Sequence, residues 1–280
     1  MAEQMIVTND VELCTEPFGD PADPPVLLIM GSGGSMIWWE DDFCRMLADG
    51  RRFVIRYDNR DTGRSVTYEP GHPGYTFTDL VGDAAGVLHA YEIPAAHVAG
   101  VSMGGAIAQL LALDFADRVS SLVVMMTSSA GPGNDGLPPM TEEYARFLAE
   151  TEVDWSDTQA LIDYTVEYFR ASTGQRPFDE PHVRELVVRD GARARNIASA
   201  QNHGALSGGK PWRHRLPSLK IPTLVIQGSA DPLFQPGHGQ ALADEIPGAR
   251  LLTLGGAGHG LQRADWDTVV RAILEHTSRV

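Results

Sequence analysis

His97-Val98-Ala99-Gly100-Val101-Ser102-Met103-Gly104-Gly105-Ala106-Ile107-Ala108-Gln109-Leu110-Leu111-Ala112-Leu113 reads as a strand, a sharp turn and a helix in immediate succession. The run HVAGV reads as a strand, and GGAIAQLLAL as the helix that it opens into. Between them, Gly100-Val101-Ser102-Met103-Gly104 matches G-x-S-x-G. That pattern alone is weak, but here it has the strand–turn–helix setting of a nucleophile elbow. The glycines have a physical reason: in so sharp a turn a Cβ at either flank would meet the neighbouring strand or helix. The Ser102 hydroxyl then stands at the carboxyl edge of a sheet, where open α/β sheets bind ligands. It also lies beside a helix N-terminus, which favours developing negative charge.

Outward from this turn, short apolar runs alternate with helical patterns. Val26–Met30, Phe53–Tyr57, His97–Val101, Leu122–Met126, Thr223–Gln227 and Arg250–Leu254 read as strands. An N-terminal pair, Ile6–Val7 and Val11–Leu13, reads as a hairpin turning at Asn9–Asp10. Helices are expected over Asp41–Asp49, Thr78–Tyr91, Gly104–Phe115, Gln240–Glu245 and Trp266–His276. The alternation predicts an α/β fold with a mostly parallel, doubly wound sheet. It fails between Met126 and Ile221, where the loop SSAGPGNDGLPP leads into helical stretches at Thr141–Thr151, Ser156–Ser172 and Asp179–Asn202. Ser156 and Gln159 fit a capping box. The expected organisation is a core of residues 1–130 and 216–280, with a helical cap over 131–215 inserted after the fourth parallel strand. So long an insertion in a compact domain is usually functional, and a lid is the sharper expectation beside a merely packing subdomain.

A serine hydroxyl needs a base. Among nine histidines, His259 lies in GGAGHG directly after the strand RLLTL, which puts it on the same sheet edge as Ser102. His72, His203, His214 and His238 fall in loops or the insertion and His89 and His276 in expected helices, where surface or structural roles fit better. An acid must orient the base, and Asp231 in QGSADPLF follows the strand TLVIQ. The order Ser102, Asp231, His259 is the one this fold uses. Asn134 and Asp135 are the rivals for the orienting role, further from a strand end.

An oxyanion needs backbone donors. One is expected from the N–H of Met103, the residue after the nucleophile. The other is expected from the loop Met30-Gly31-Ser32-Gly33-Gly34-Ser35, where Gly31 permits close approach and the Ser32 N–H points inward. That loop lacks GK[ST] and the third glycine of a dinucleotide fingerprint, so it does not read as a phosphate cradle. Trp38, Trp39, Leu233 and Phe234 flank the proposed loops and are candidates for lining a substrate pocket, with plain core packing as the alternative.

These features together resemble the α/β-hydrolase superfamily over nearly the whole chain. The marks are FGDPADPPVLLIMGSGG, RYDNRDTGRS, GVSMGG, PTLVIQGSADPL and GAGHG. The opening VELC…FGDPADP, the MGS loop and RYDNRDTGRS also resemble the aclacinomycin methylesterase group, which acts on anthracycline methyl esters. The resemblance implies a lid-bearing esterase with Ser102, Asp231 and His259 as triad and Ser32 and Met103 as oxyanion donors. Two positions depart from the superfamily pattern. Met30-Gly31 stands where most members have His-Gly, and Asp61 stands where D-x-R-G-x-G-x-S has its first glycine.

Composition narrows the remaining classes. With 37 acidic against 22 basic residues the formal charge is −15, and the densest basic stretch, Lys210–Lys220, is short and broken by prolines, so no nucleic-acid partner is expected. No apolar run is long enough to span a bilayer, and the N-terminus lacks the features of a secretory signal, so a cytoplasmic protein without membrane partners is expected. Cys14 and Cys44 match no metal spacing and read as free thiols with packing roles. No metal and no cofactor are called for. The expected activity is hydrolysis of a small, fairly apolar carboxylic ester by a monomer or small homo-oligomer. Carbon–carbon bond hydrolysis, cofactor-free perhydrolysis and ligand binding without turnover are the alternatives.

Overall fold

Asn9 and Asp10 both have positive φ, 49° and 61°. A two-residue hairpin turn of matching twist requires this, and the turn joins β1 (Gln4–Thr8) to β2 (Val11–Phe18) antiparallel. Both strands are longer than the sequence pattern suggests. In the computed structural model, which describes residues 2–129, 136–155, 157–206 and 209–278, β2 pairs antiparallel with β4 (Phe53–Tyr57). From there the sheet is parallel, adding β3 (Pro25–Ile29), β5 (Ala96–Val101), β6 (Val119–Met125), β7 (Thr223–Gly228) and β8 (Arg250–Leu254). The order across the sheet is β1-β2-β4-β3-β5-β6-β7-β8. Every residue of β5 and β7 is buried, as strands covered on both faces must be.

The two faces carry separate apolar layers. On one, α2 (Phe77–Ala90), α3 (Met103–Asp114) and α8 (Pro236–Glu245) bury Leu80, Val87, Ile107, Leu111 and Leu242 against Leu27, Ile55 and Val98. On the other, α1 (Asp41–Asp49) and α9 (Trp266–Thr277) bury Phe43, Leu47, Val269 and Ile273 against Val26, Val54 and Ile226. Both windings leave the carboxyl ends of β3, β5, β7 and β8 at one edge, where the loops converge. Cys14 and Cys44 are buried free thiols. Among the described residues no helix is long and apolar enough to cross a membrane.

Between β6 and β7 come α4 (Glu142–Glu150), α5 (Thr158–Ser172), α6 (Glu180–Arg193), a 3₁₀ turn at Ile197–Gln201 and the single-turn α7 (Asn202–Ala205). Within the expected cap 131–215, residues 131–135, 156, 207 and 208 lie outside the described residues, and with them the rivals Asn134 and Asp135. Ser156 of the expected capping box is also outside them. The observed cap of α5 is Asp157, whose carboxylate accepts from the N–H of Gln159 and Ala160. The helix expected over Asp179–Asn202 is a correction: it ends at Arg193, and Ala194 turns extended. The competing pull is tertiary. Arg193 pairs with buried Asp58 of the core at 2.7 Å and with Glu3 at 2.6 Å, and the chain then redirects so that Asn202 and His203 are buried. Helical periodicity cannot register such an anchor.

Candidate active site

Ser102 sits between β5 and α3 with φ 54° and ψ −121°, a backbone region that costs a non-glycine residue strain. The turn is this tight because its neighbours have no side chain. A Cβ on Gly100 would lie 2.1 Å from the Gly104 carbonyl oxygen, and one on Gly104 would lie 2.2 Å from that of Ile29 in β3. The serine carbonyl is held by the N–H groups of Gly105 and Ala106 and by the Thr127 hydroxyl at 2.7 Å. Ser102 is thereby fixed at the sheet edge, with Met103 as the first residue of α3, whose amide has no intrahelical partner.

The loop after β8 brings His259 to the same place. Its Nε2 lies 3.0 Å from Ser102 Oγ, and its Nδ1 lies 3.0 Å from Asp231 Oδ2. Asp231, in the loop after β7, is almost wholly buried. Its Oδ1 accepts from the N–H of Leu233 and of Phe234, both at 2.9 Å, so one oxygen is occupied and the other faces the imidazole. With a carboxylate at Nδ1, that nitrogen carries the proton and Nε2 is free to accept one from the serine. The Phe234 ring meets the His259 ring edge-on with centroids 5.6 Å apart.

Gly31 abuts the serine: a Cβ there would be 3.2 Å from that of Ser102. A cavity of about 390 Å³ opens over Ser102 and His259, lined by Gly31, Ser32 and Trp38 of the β3 loop and by Tyr164, Tyr168 and Phe169 of α5. Its wall is mainly apolar, with several aromatic rings; Trp38 stacks on Phe169 with centroids 4.2 Å apart. Beyond that pair a second cavity of about 270 Å³ also touches His259, and Trp39 lines this one. Leu233 and Phe234 line neither; they meet the site through Asp231 and His259. Of the residues expected around the pocket, Gly31 and Trp38 thus lie on the larger cavity, Trp39 on the smaller, and Leu233 and Phe234 beside Asp231 away from both.

Three residues of the cap belong to the site and carry no motif that would single them out. Asp190 of α6 lines the larger cavity, and its Oδ2 accepts from the indole N–H of Trp38 at 2.7 Å. Burial pushes its carboxyl above the ordinary range, against the pull of the Ser35 and Trp38 donors. His203 of α7 accepts at Nδ1 from the Gly33 N–H, 2.9 Å away, and its Nε2 lies 2.8 Å from the Arg60 carbonyl oxygen. Burial lowers its affinity for a second proton. Ser172, at the end of α5, accepts the main-chain N–H of His259 at 2.7 Å.

A doubly wound parallel sheet whose serine elbow meets a histidine and an aspartate from two later strand ends defines the class of the α/β hydrolases. The chain belongs to the alpha/beta hydrolase fold family, which it matches over residues 24–262. Among known proteins it is similar to rhodomycin D methylesterase DauP of Streptomyces sp. (strain C5), with 35% identity over 293 aligned positions covering 99% of this chain and 98% of the relative. Rhodomycin D methylesterase DnrP of Streptomyces peucetius is 33% identical over the same extent. Among solved structures, a hydrolase from Pseudomonas aeruginosa PA01 superposes with a TM-score of 0.75 at 27% identity, covering 98% of each chain. The enol-lactonase from Burkholderia xenovorans LB400 has the same fold, with a TM-score of 0.74 at 24% identity over 98% of this chain and all of the other.

Proposed function

We propose that the protein is a serine esterase that cleaves a carboxylic ester of a small, fairly apolar molecule through an acyl-enzyme. The observation that carries this reading is the unbroken line of hydrogen bonds from Ser102 Oγ through His259 to Asp231, each 3.0 Å long, at the floor of a mainly apolar cavity. Ser102 attacks the ester carbonyl while His259 Nε2 takes its proton, and Asp231 stabilises the imidazolium. The N–H groups of Met103 and Ser32 receive the oxyanion; removing one such donor costs about 3 kcal/mol in enzymes of this type. His259 then protonates the departing alcohol and draws a proton from water to hydrolyse the acyl-enzyme.

The methylesterase relatives support an ester as substrate, and the mainly apolar cavity of about 390 Å³ has room for a small, fairly apolar molecule. The helical insertion acts as the lid that selects that molecule. Hydrolysis of p-nitrophenyl acetate and butyrate tests the reading. Turnover in the wild type, its abolition in Ser102→Ala and fluorophosphonate labelling confined to the wild type are expected. Equal rates in the two proteins, with no labelling, would leave a binding protein.

A further inference from the structure

The Asp61 position departs from the superfamily pattern, and its surroundings give that departure a use. Its φ is 64°, the left-handed region that explains why glycine is the usual occupant. The buried carboxylate of Asp61 accepts from the Tyr68 N–H at 2.6 Å and, with its other oxygen, from the Asn202 side-chain amide at 2.9 Å. Asn202 opens α7 and is further held by the Glu69 carbonyl and the Gly71 N–H. The next residue is His203. Its ring lies between two groups of fixed polarity: the Gly33 N–H can only donate and the Arg60 carbonyl can only accept. The ring is therefore neutral, with its proton on Nε2. Gly33 directly follows Ser32, and a loop containing several glycines has little stiffness of its own.

We propose that His203 is a positioning residue for ester hydrolysis: it fixes the oxyanion loop through the Gly33 amide, and Asp61, by gripping Asn202, sets the reach of that imidazole. Other amides of the same segment are held too, Met36 by Asp58 at 2.8 Å and Ser35 by Asp190 at 3.5 Å. Ser32, which lines the cavity, is thus followed by a segment restrained at Gly33, Ser35 and Met36. The inference rests on the esterase reading above.

The test separates the two ring nitrogens. In His203→Asn the amide oxygen falls where Nδ1 was and can still accept from Gly33; in His203→Gln the amide falls near Nε2 and cannot. With p-nitrophenyl butyrate, His203→Gln is expected to lose about 10- to 100-fold in kcat with KM nearly unchanged, because misplacement by about an ångström has that effect. An aryl trifluoromethyl ketone, whose adduct needs the oxyanion donors, should inhibit it correspondingly less well. His203→Asn should keep most of the wild-type kcat. Asp61→Gly, which suits the backbone and so should fold, should follow His203→Gln. Wild-type kcat in His203→Gln, or equal losses in the Asn and Gln variants accompanied by equal falls in Tm, would overturn the proposal. If His203→Gln does not fold, Asp61→Gly decides, and an unchanged kcat there overturns it. A wild type that fluorophosphonate fails to label would instead remove the esterase reading and this inference with it.

Discussion

The main-chain N–H of His259 donates to the carbonyl of Ser172, 2.7 Å away, so the last turn of α5 holds the loop that presents the imidazole. The chain that follows tightens the contact: the Gln175 N–H donates to the Gly256 carbonyl, and the Gln262 side chain donates to Thr173. A Cβ on Gly258 would lie 2.0 Å from the Ser172 oxygen, too close to be absorbed without moving one of the two chains. Gly258→Ala is therefore expected to lower kcat by about 10- to 100-fold through displacement of His259. Far-UV circular dichroism and the labelling rate of Ser102 would check it: a folded protein labelled at the wild-type rate would contradict this account.

Asp231→Asn keeps the shape of the side chain, and an amide oxygen can still accept from the Leu233 and Phe234 amides. Its nitrogen would then face His259 Nδ1 and force the wrong tautomer. A fall in kcat of about 10⁴ is expected, the loss seen when such an aspartate is neutralised in other triads. Steady-state kinetics at saturating ester would measure it, and a loss below tenfold would move the orienting role elsewhere.

The elbow stores strain in a residue that a glycine would relieve. Ser102→Gly should be more stable than Ser102→Ala by about 1 kcal/mol, because alanine keeps the Cβ at φ 54° and glycine does not. Both should be inactive. Urea denaturation of the pair checks the difference, and equal midpoints would mean that the turn is unstrained.

His97 gives the fold an acid sensitivity of its own. It is buried in β5 with Nδ1 2.8 Å from the Ser121 hydroxyl. Burial, aided by Arg52 and His276, lowers its pKa from 6.5 to about 4. Between these values the unfolded chain binds a proton that the folded chain refuses. The stabilising contribution is therefore complete above pH 6.5 and is lost as the pH falls toward 4, by up to about 3 kcal/mol. His97→Gln should flatten the decline of Tm with pH across that window; an unchanged slope would assign the acid lability to other groups.

Much of the core can be read from local sequence because its causes are local. VLLIM and TLVIQ are apolar on both faces, so they announce buried parallel strands, and the glycines around Ser102 announce a turn with no room for a Cβ. His259 and Asp231 could be found because strand ends in this topology share one edge. The cap was harder. Its helices α4 and α5 show in periodicity, but the break after Arg193 is set by Asp58, far away in sequence. Asp190, Ser172 and His203 serve the site through one or two contacts each to distant loops, and such contacts leave no repeat or spacing behind. Only the unusual Asp61 hinted that something was attached there.

Trp38, Ser35 and Gly33 take their hydrogen-bond partners from α6 and α7, in a part of the chain separated from them in sequence by three strands of the core. This bears on how such proteins diversify. A cap transplanted from a cousin would bring a new wall for the substrate but would arrive without the partners on which this oxyanion loop leans. A graft of the insertion that respects only its boundaries is therefore expected to give a folded but slow chimera, because the β3 loop would lose these partners.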